Sequence, residues 1–404
     1  MKEKLRLGVI GTGKRGSSLL RNVVYLMDDI DVYAICDTNR EAAEKTAAEA
    51  ESAKGRKPKI LNDYNDLLNL NEIDVILVTG GWNTHIPAAI AAMKAGKAVG
   101  CEVGCAETLE QCHELVRVHE ETGVQCCMIE NCCYGRNELM VLNMARQRVF
   151  GKIVHVSGGY HHDLRNALLN HYHQNNGYRL KYYISRNGDN YPTHELGPLA
   201  VLLKLGRGNR MEKLSSFSSP SAGIQDLITR KYPDYEPVRT LIRQGDIITT
   251  VITCANGETI VLTLDTSLPR AYSRGYTVRG TRGMYQEDSN SIFLDDEGHD
   301  HNKGIKAYFN NAENYRTQYE HPIWQKFLSE GIRGGHDGMD WLVLRRFFDA
   351  VKESCSTPLD AYDMASWMSI YPLTEMSIAR GGMPVDVPDF TNGKWMWRKD
   401  DWLL

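Results

Sequence analysis

No run in the 404 residues approaches the roughly 18 apolar residues that a membrane span requires, so no membrane partner is expected. The opening Met1-Lys2-Glu3-Lys4-Leu5 passes at once into a strand pattern. It shows neither the apolar stretch nor the small-residue cleavage site of an export signal, so the expected compartment is the cytoplasm. A basic excess is also missing. Lys plus Arg number 47 against 51 Asp plus Glu, a formal charge of −4, and no basic stripe stands out, which argues against a nucleic-acid partner. The 10 cysteines lack the paired spacing of a zinc ribbon, and the adjacent pairs Cys126-Cys127 and Cys132-Cys133 do not suit a disulfide framework. They are expected to be reduced and mostly structural. There is no 20–50-residue repeat and no low-complexity tract. What is there is ordinary globular composition, 42% apolar and 24% charged, which excludes a disordered or fibrous chain. The length suits two or three domains of roughly 100–200 residues.

The first part of the chain alternates short β-branched runs with helical patterns. Strands are expected at residues 5–10, 32–36, 75–79, 97–101 and 124–129, with helices at 40–52, 86–95 and 110–121. Thr108 and Gln111 have capping-box spacing before the last of these. Such alternation implies an α/β fold with a doubly wound parallel sheet, a Rossmann domain assigned to residues 1–131. The pattern then changes. A strand at 153–160 leads into a polar stretch, 161–190, read as an irregular functional loop, and then a helix at 198–205. Strand-like runs at 247–254, 259–264, 275–280 and 291–294 follow one another closely, and helices are expected at 338–351 and 361–379. Residues 132–404 are therefore expected to form an α+β domain with a predominantly antiparallel open sheet, its late helices packing back on the first domain.

Gly11-Thr12-Gly13-Lys14-Arg15-Gly16 follows an apolar strand and opens a helix. In that context Gly11 permits the tight turn, Gly13 lets the backbone approach a pyrophosphate, and Gly16 lets helix pack on strand. The helix N-terminus then offers amides and a dipole to the anion. Asp37 ends the next strand, where a carboxylate accepts from ribose hydroxyls and repels a 2′-phosphate; the expected cofactor is therefore NAD rather than NADP. The alternative is an inherited fold with no cofactor. Three further strand ends point the same way: Thr79-Gly80-Gly81-Trp82-Asn83-Thr84-His85, Cys101-Glu102-Val103 and Glu130-Asn131-Cys132.

The glycine motif, Asp37 and the run Ala91-Ala92-Met93-Lys94-Ala95-Gly96-Lys97 before Cys101-Glu102 resemble the Gfo/Idh/MocA oxidoreductases, which pair an NAD(P)-binding Rossmann domain with an open-sheet substrate domain. Dehydrogenases of that family usually carry Glu-Lys-Pro here, with the lysine aiding proton transfer. This chain reads Glu102-Val103-Gly104, which favours a different reaction. A narrower resemblance spans nearly the whole chain. Its segments are Glu130-Asn131-Cys132-Cys133-Tyr134-Gly135-Arg136, Tyr160-His161-His162-Asp163-Leu164-Arg165, Arg186-Asn187-Gly188-Asp189, Tyr191-Pro192-Thr193-His194, Asp265-Thr266, Pro269-Arg270-Ala271-Tyr272-Ser273-Arg274, Gly335-His336-Asp337-Gly338-Met339-Asp340 and Pro384-Val385-Asp386-Val387-Pro388-Asp389-Phe390. Together they are similar to glycoside hydrolase family 109, the NAD-dependent N-acetylgalactosaminidases. Two positions depart from its pattern: Glu195 stands where the family commonly has glycine after Tyr-Pro-Thr-His, and Asp337 replaces the first of two glycines.

The resemblance implies hydrolysis of a terminal N-acetylgalactosamine or related sugar by transient oxidation at C3, deprotonation at C2, elimination of the aglycone, addition of water and re-reduction. Such chemistry does not need the paired carboxylates of ordinary glycosidases. It implies cofactor contacts from Arg15, Gly16, Asp37, Trp82, Asn83, Thr84, His85, Glu102, Val103 and Asn131. His194 is the leading acid–base residue, because an imidazole both takes and gives a proton near neutrality. Tyr191 is its partner, and Tyr272 would meet a sugar hydroxyl or the leaving oxygen. Tyr160, Arg179 and Thr193 complete the expected sugar set. Packed core tyrosines and a solvated Arg179 are the bland alternatives. His161, His162 and Asp163 with His171 and His173 read as a pocket rim rather than a metal site. Gly298-His299-Asp300-His301 reads as a solvated turn, and Trp395, Trp397 and Trp402 as packing. The competing functions are a sugar dehydrogenase with net NADH formation and a non-catalytic NAD-linked sugar sensor. A glycoside or oligosaccharide is the expected partner, and a homo-oligomer the expected assembly.

Overall fold

The computed structural model describes residues 3–173, 177–232, 242–297 and 302–399. The chain forms two compact units, one of Met1–Tyr134 with Lys326–Ser366, the other of Gly135–Gln325 with Trp367–Arg398.

The first unit holds six parallel strands: β1 (Leu5–Ile10), β2 (Ile30–Cys36), β3 (Lys59–Leu61), β4 (Val75–Val78), β5 (Ala98–Cys101) and β6 (Cys126–Met128). Their order is β3-β2-β1-β4-β5-β6, so the order reverses between β1 and β4, where a doubly wound sheet opens its ligand crevice. β4, β5 and β6 are buried throughout, as strands covered by helices on both faces must be. β3 was not expected; three residues carry too little pattern to read. The helices have local punctuation. Arg40–Lys54 starts on Asn39, whose side chain accepts from Ala42 N, and stops at Gly55 with φ 70°. Leu109–Thr122 starts on Thr108 and stops at Gly123 with φ 65°. The capping box is displaced by one residue: Thr108 Oγ1 accepts from Gln111 N, while the Gln111 side chain accepts from Glu107 N at 2.9 Å. The helix Met339–Glu353 belongs to this unit and lays Phe347 so close to β5 that a Cβ on Gly100 would meet its ring at 2.7 Å.

The second unit holds β7 (Ile153–His161), β8 (Met211–Ser218), β9 (Ile247–Cys254), β10 (Thr259–Asp265), β11 (Thr277–Gly280), β12 (Gly283–Gln286), β13 (Ser291–Leu294) and β14 (Val385–Asp386). They form one sheet, ordered β13-β12-β11-β7-β10-β9-β8-β14, in which β7–β10 is parallel and every other pair antiparallel. One face carries helices: Glu195 Cβ would stand 3.0 Å from a Cβ on Gly158 of β7, and Ser216 N of β8 donates to Ser377 Oγ at 2.9 Å. On the sheet's strands Val154 (44%), Phe217 (57%) and Val251 (41%) remain exposed.

Three expectations are corrected. The stretch 161–190 is not an irregular loop; it contains the helices Arg165–His173 and Tyr178–Ser185, stabilised by burial of Leu168, Leu169, Leu180, Tyr182 and Tyr183 rather than by a periodic pattern. The helix expected at 198–205 is Thr193–Leu202 and runs through Pro198. The span 361–379 is two helices, Ala361–Met368 and Ile370–Ala379, broken at Ser369. β8, β12 and β14 were also unexpected. All ten cysteines are free; nine are buried and Cys355 is exposed. Burial pushes the thiol of Cys36 up to about 11 and that of Cys126 up to about 12, which makes them inert. Trp397 is 66% exposed, so it is not packed in a core. The turn 298–301 and Trp402 lie outside the described residues.

Candidate active site

The residues expected to hold a dinucleotide line the strand ends of the first sheet. Gly11 has φ 97°, and a Cβ there would lie 2.5 Å from Gly80 N, so only glycine serves. A Cβ on Gly16 would fall 2.3 Å from Gly11 O, whereas one on Gly13 would meet nothing within 4 Å. Gly13 heads the helix Lys14–Asn22, which has no side-chain cap and no acidic residue in its first turn. The helix start thus offers amides, positive dipole and room, and these fit a pyrophosphate. Asp37 follows β2, and its Oδ2 accepts from Thr12 N (2.6 Å) and Thr12 Oγ1 (2.9 Å), which aims the carboxylate at the glycine turn.

Behind β4, Trp82 is buried and His85 Nε2 lies 3.1 Å from Gly80 O, fixing the turn that carries Asn83 and Thr84. A Cβ on Gly104 would fall 2.5 Å from Trp82 Cδ1. The indole lying on residue 104 is the physical reason this chain has Glu102-Val103-Gly104 and no larger residue at the third position. Glu102 behind β5 is buried and accepts from Arg15 Nε at 2.8 Å and from Val103 N at 3.2 Å. Behind β6, Glu130 Oε1 accepts from Cys132 N at 3.0 Å, and Asn131 Nδ2 donates to Asp340 Oδ1 at 2.8 Å. Asp340 also takes the guanidinium fork of Arg15, NH1 to Oδ2 at 2.8 Å and NH2 to Oδ1 at 2.9 Å. Sequence reasoning gave Asp340 and His336 no role, although their segment was among those that resembled a family.

In the second unit the expected sugar residues come together as a cluster of rings. Tyr160, next to last in β7, has Tyr191 4.5 Å away, His194 5.7 Å away and Tyr272 6.3 Å away, centroid to centroid. Tyr191 and His194 sit edge to face at 5.0 Å, and the Tyr191 hydroxyl lies 3.4 Å from His194 Nε2. The Arg179 guanidinium stands 4.9 Å from the Tyr191 ring centroid. His194 lies in the first turn of its helix rather than ahead of it, three residues after Tyr191, so one turn brings both to the same face. Tyr272 is 53% exposed, while Tyr160 and Tyr191 are nearly buried. Thr193 is fully buried, and its hydroxyl has no hydrogen-bond partner among the described residues.

His162 joins the cluster. Its Nδ1 lies 3.1 Å from the Tyr160 hydroxyl and its ring 5.2 Å from Tyr272. Burial, then the positive Arg179, holds its imidazole below the ordinary histidine value. The neighbours diverge, because strand side chains alternate: His161 packs against Gly159 and Gly275, and Asp163 pairs with Arg165 at 2.8 Å. His171 and His173 lie in the helix Arg165–His173; their side chains are outside the described residues. Two residues before Tyr191, Asp189 is wholly buried, with its N–H on Thr374 Oγ1 at 2.9 Å and its Oδ1 accepting from Tyr191 N at 3.4 Å. Burial pushes its carboxyl up to about 7.

Comparison with known proteins finds two families along the chain. Residues 5–130 match the oxidoreductase family with an NAD-binding Rossmann fold, and residues 134–397 match the C-terminal domain of glycosyl hydrolase 109. An alpha-N-acetylgalactosaminidase of Tannerella forsythia is 37% identical over 99% of this chain and 89% of its own length. Another, from Shewanella oneidensis, is 35% identical over 97% and 86%. Among solved structures, an NAD binding oxidoreductase from Klebsiella pneumoniae superposes with a TM-score of 0.71 at 16% identity, covering 96% of this chain and 99% of that one. A levoglucosan dehydrogenase in complex with NADH and L-sorbose gives 0.69 at 20%, covering 96% and 100%. These two share the fold. The chain is an enzyme of glycosyl hydrolase family 109 built on an NAD-binding Rossmann fold.

Proposed function

We propose that this enzyme cleaves a terminal N-acetylgalactosamine, or a closely related sugar, from its glycosides, with residues 1–131 holding NAD and residues 132–404 holding the sugar. The observation that carries the reading is the ring cluster of Tyr160, Tyr191, His194 and Tyr272, with a phenol hydroxyl 3.4 Å from an imidazole nitrogen. The names of its relatives, alpha-N-acetylgalactosaminidases, support the substrate class. Such a cluster suits proton transfer at a ring carbon better than protonation and attack by paired carboxylates.

When bound, NAD supplies a reversible two-electron oxidation of the sugar at C3. Gly11, Gly13 and Gly16 would admit its pyrophosphate, Asp37 would accept from its adenosine ribose, and Arg15, Trp82, Asn83, Thr84, His85, Glu102, Val103 and Asn131 would hold the rest. His194 takes the proton from C2 and returns it, and the Tyr191 hydroxyl orients the imidazole and relays the proton. Tyr272 donates to the leaving oxygen. Tyr160, Arg179 and Thr193 position the sugar hydroxyls; Thr193 is the buried first residue of the helix that carries His194. The ten free thiols support a cytoplasmic location, and no helix among the described residues is long and apolar enough to cross a membrane. The exposed Phe217 and Val251, which the strand register places on one face of the second sheet, support a homo-oligomer joined there.

A panel of p-nitrophenyl glycosides without added NAD tests the reading. Phenolate release with no net absorbance from reduced nicotinamide is the expected result, and deuterium at C2 should exchange into solvent during turnover. Accumulating NADH with free sugar would make the chain a dehydrogenase. Sugar binding with neither signal would make it a sensor.

A further inference from the structure

Three of the residues assigned to the dinucleotide sit behind three different strands: Arg15 after β1, Glu102 after β5, Asn131 after β6. One carboxylate ties them. Asp340 receives both arms of the Arg15 fork and the Asn131 amide, and Arg15 carries the connection on to Glu102 through Nε. A bidentate charge-assisted pair fixes direction as well as distance, and a guanidinium so held loses little further freedom when a ligand arrives. The Asp340 side chain is only 3% exposed, and the partners around it keep its carboxyl well below the ordinary range despite burial.

The backbone that delivers Asp340 is strained. His336 and Asp337 both adopt left-handed φ, 50° and 53°, and Gly338 follows at 98°. Non-glycine residues held there are strained and persist where the surroundings over-determine them. Asp337 is of a type that tolerates this conformation better than most residues other than glycine. The strained turn sets His336 Nδ1 2.8 Å from Asp340 Oδ2, with most of the imidazole in solvent. It also brings Gly335 so near that a Cβ there would stand 2.8 Å from the same oxygen.

We propose that Asp340 is a positioning residue of the dinucleotide site, holding Arg15, Glu102 and Asn131 in one register, with His336 bracing it. The inference rests on the assignment of Arg15 and Asn131 to NAD. A purely structural role, in which Asp340 only pins the helix Met339–Glu353 to the sheet, would lower stability and leave NAD retention alone.

The test follows the loss of NAD from purified holoenzyme on dilution, beside the NAD-to-chain ratio as isolated. D340N, which keeps the shape and removes the charge, should speed NAD loss by about tenfold to a hundredfold, the range in which removal of an outer partner loosens a bound group. R15A should also speed it, and the double variant R15A/D340N should fall well short of the product of the two, because Asp340 acts largely through Arg15. A D340N off-rate within twofold of the parent while R15A is faster overturns the proposal, as does full multiplication in the double variant. An unchanged R15A overturns the assignment of Arg15 itself. If D340N does not fold by circular dichroism, H336A replaces it, since that side chain is mostly exposed; several-fold faster loss is then expected, and an unchanged rate overturns the proposal.

Discussion

The two regions proposed to carry the chemistry are held in different ways. At the glycine turn the positions are set by backbone closeness and by charge: Gly16 has no room for a methyl group, and Arg15 is fixed between Glu102 and Asp340. In the second unit the groups are held by ring packing, Tyr160 against Tyr191 at 4.5 Å and Tyr191 against His194 at 5.0 Å, beside the cation Arg179, 4.9 Å from the Tyr191 ring. The difference suits the two tasks. A cofactor that stays bound through turnover needs a stiff, oriented cradle. A proton that leaves and returns needs groups whose protonation is not locked by a neighbouring charge.

The comparison is broken most directly at His194. H194A should cut glycoside cleavage by about 10³-fold, within the range of a lost acid–base group, while bound NAD and the fold survive, as measured by phenolate release and nucleotide content. If full activity remains, proton transfer does not belong to the ring cluster.

Asp189 sharpens the contrast, since it is a carboxyl beside the ring cluster whose burial pushes it up to about 7. The unfolded chain releases this proton near pH 4 and the folded chain only near pH 7. The stability contribution is therefore complete below pH 4 and is lost as pH rises towards and through 7, by about 2–4 kcal/mol. In D189N, which resembles the protonated acid, that component of the decline should vanish from urea melts taken between pH 5 and 8. A D189N profile parallel to the parent's would mean the carboxyl is ionised when folded.

The cradle is tested by G16A. A Cβ 2.3 Å from Gly11 O and 2.5 Å from Thr79 Oγ1 forces backbone to move, with an expected loss of about 1–3 kcal/mol in thermal unfolding and weaker NAD retention. G13A, with open space around its Cβ, should leave unfolding nearly unchanged and act on NAD alone. The smallest effect is expected for Y272F. Tyr272 is half exposed, so losing one hydroxyl should lower the cleavage rate only severalfold, about 1 kcal/mol, and most for substrates with poor leaving groups.

Much of the first unit was legible because its signals are local. The glycine motif, the acid closing β2 and the all-apolar strands each fit within a few residues, and caps such as Thr108 and Gly123 mark helix ends where they fall. The second unit was less so. The helices Arg165–His173 and Tyr178–Ser185 are polar and lack a clean period, and β8 carries the Ser-rich run Leu214-Ser215-Ser216-Phe217-Ser218, which reads as loop until a neighbouring strand supplies its hydrogen bonds. The ring cluster was named residue by residue only through a family resemblance; nothing in spacing alone joins Tyr160, Tyr191 and Tyr272.

The amino-acid sequence by itself determined the doubly wound sheet, the dinucleotide turn and the residue types of the sugar site, because glycine conformation, strand burial and side-chain chemistry are properties of short segments. Tertiary structure alone decided that Asp340 meets Arg15 across 325 positions and that Tyr160 meets Tyr272 across a strand pairing. Those meetings depend on which strands become neighbours and where a strained turn aims one carboxylate, and neither is encoded within reach of the residues concerned.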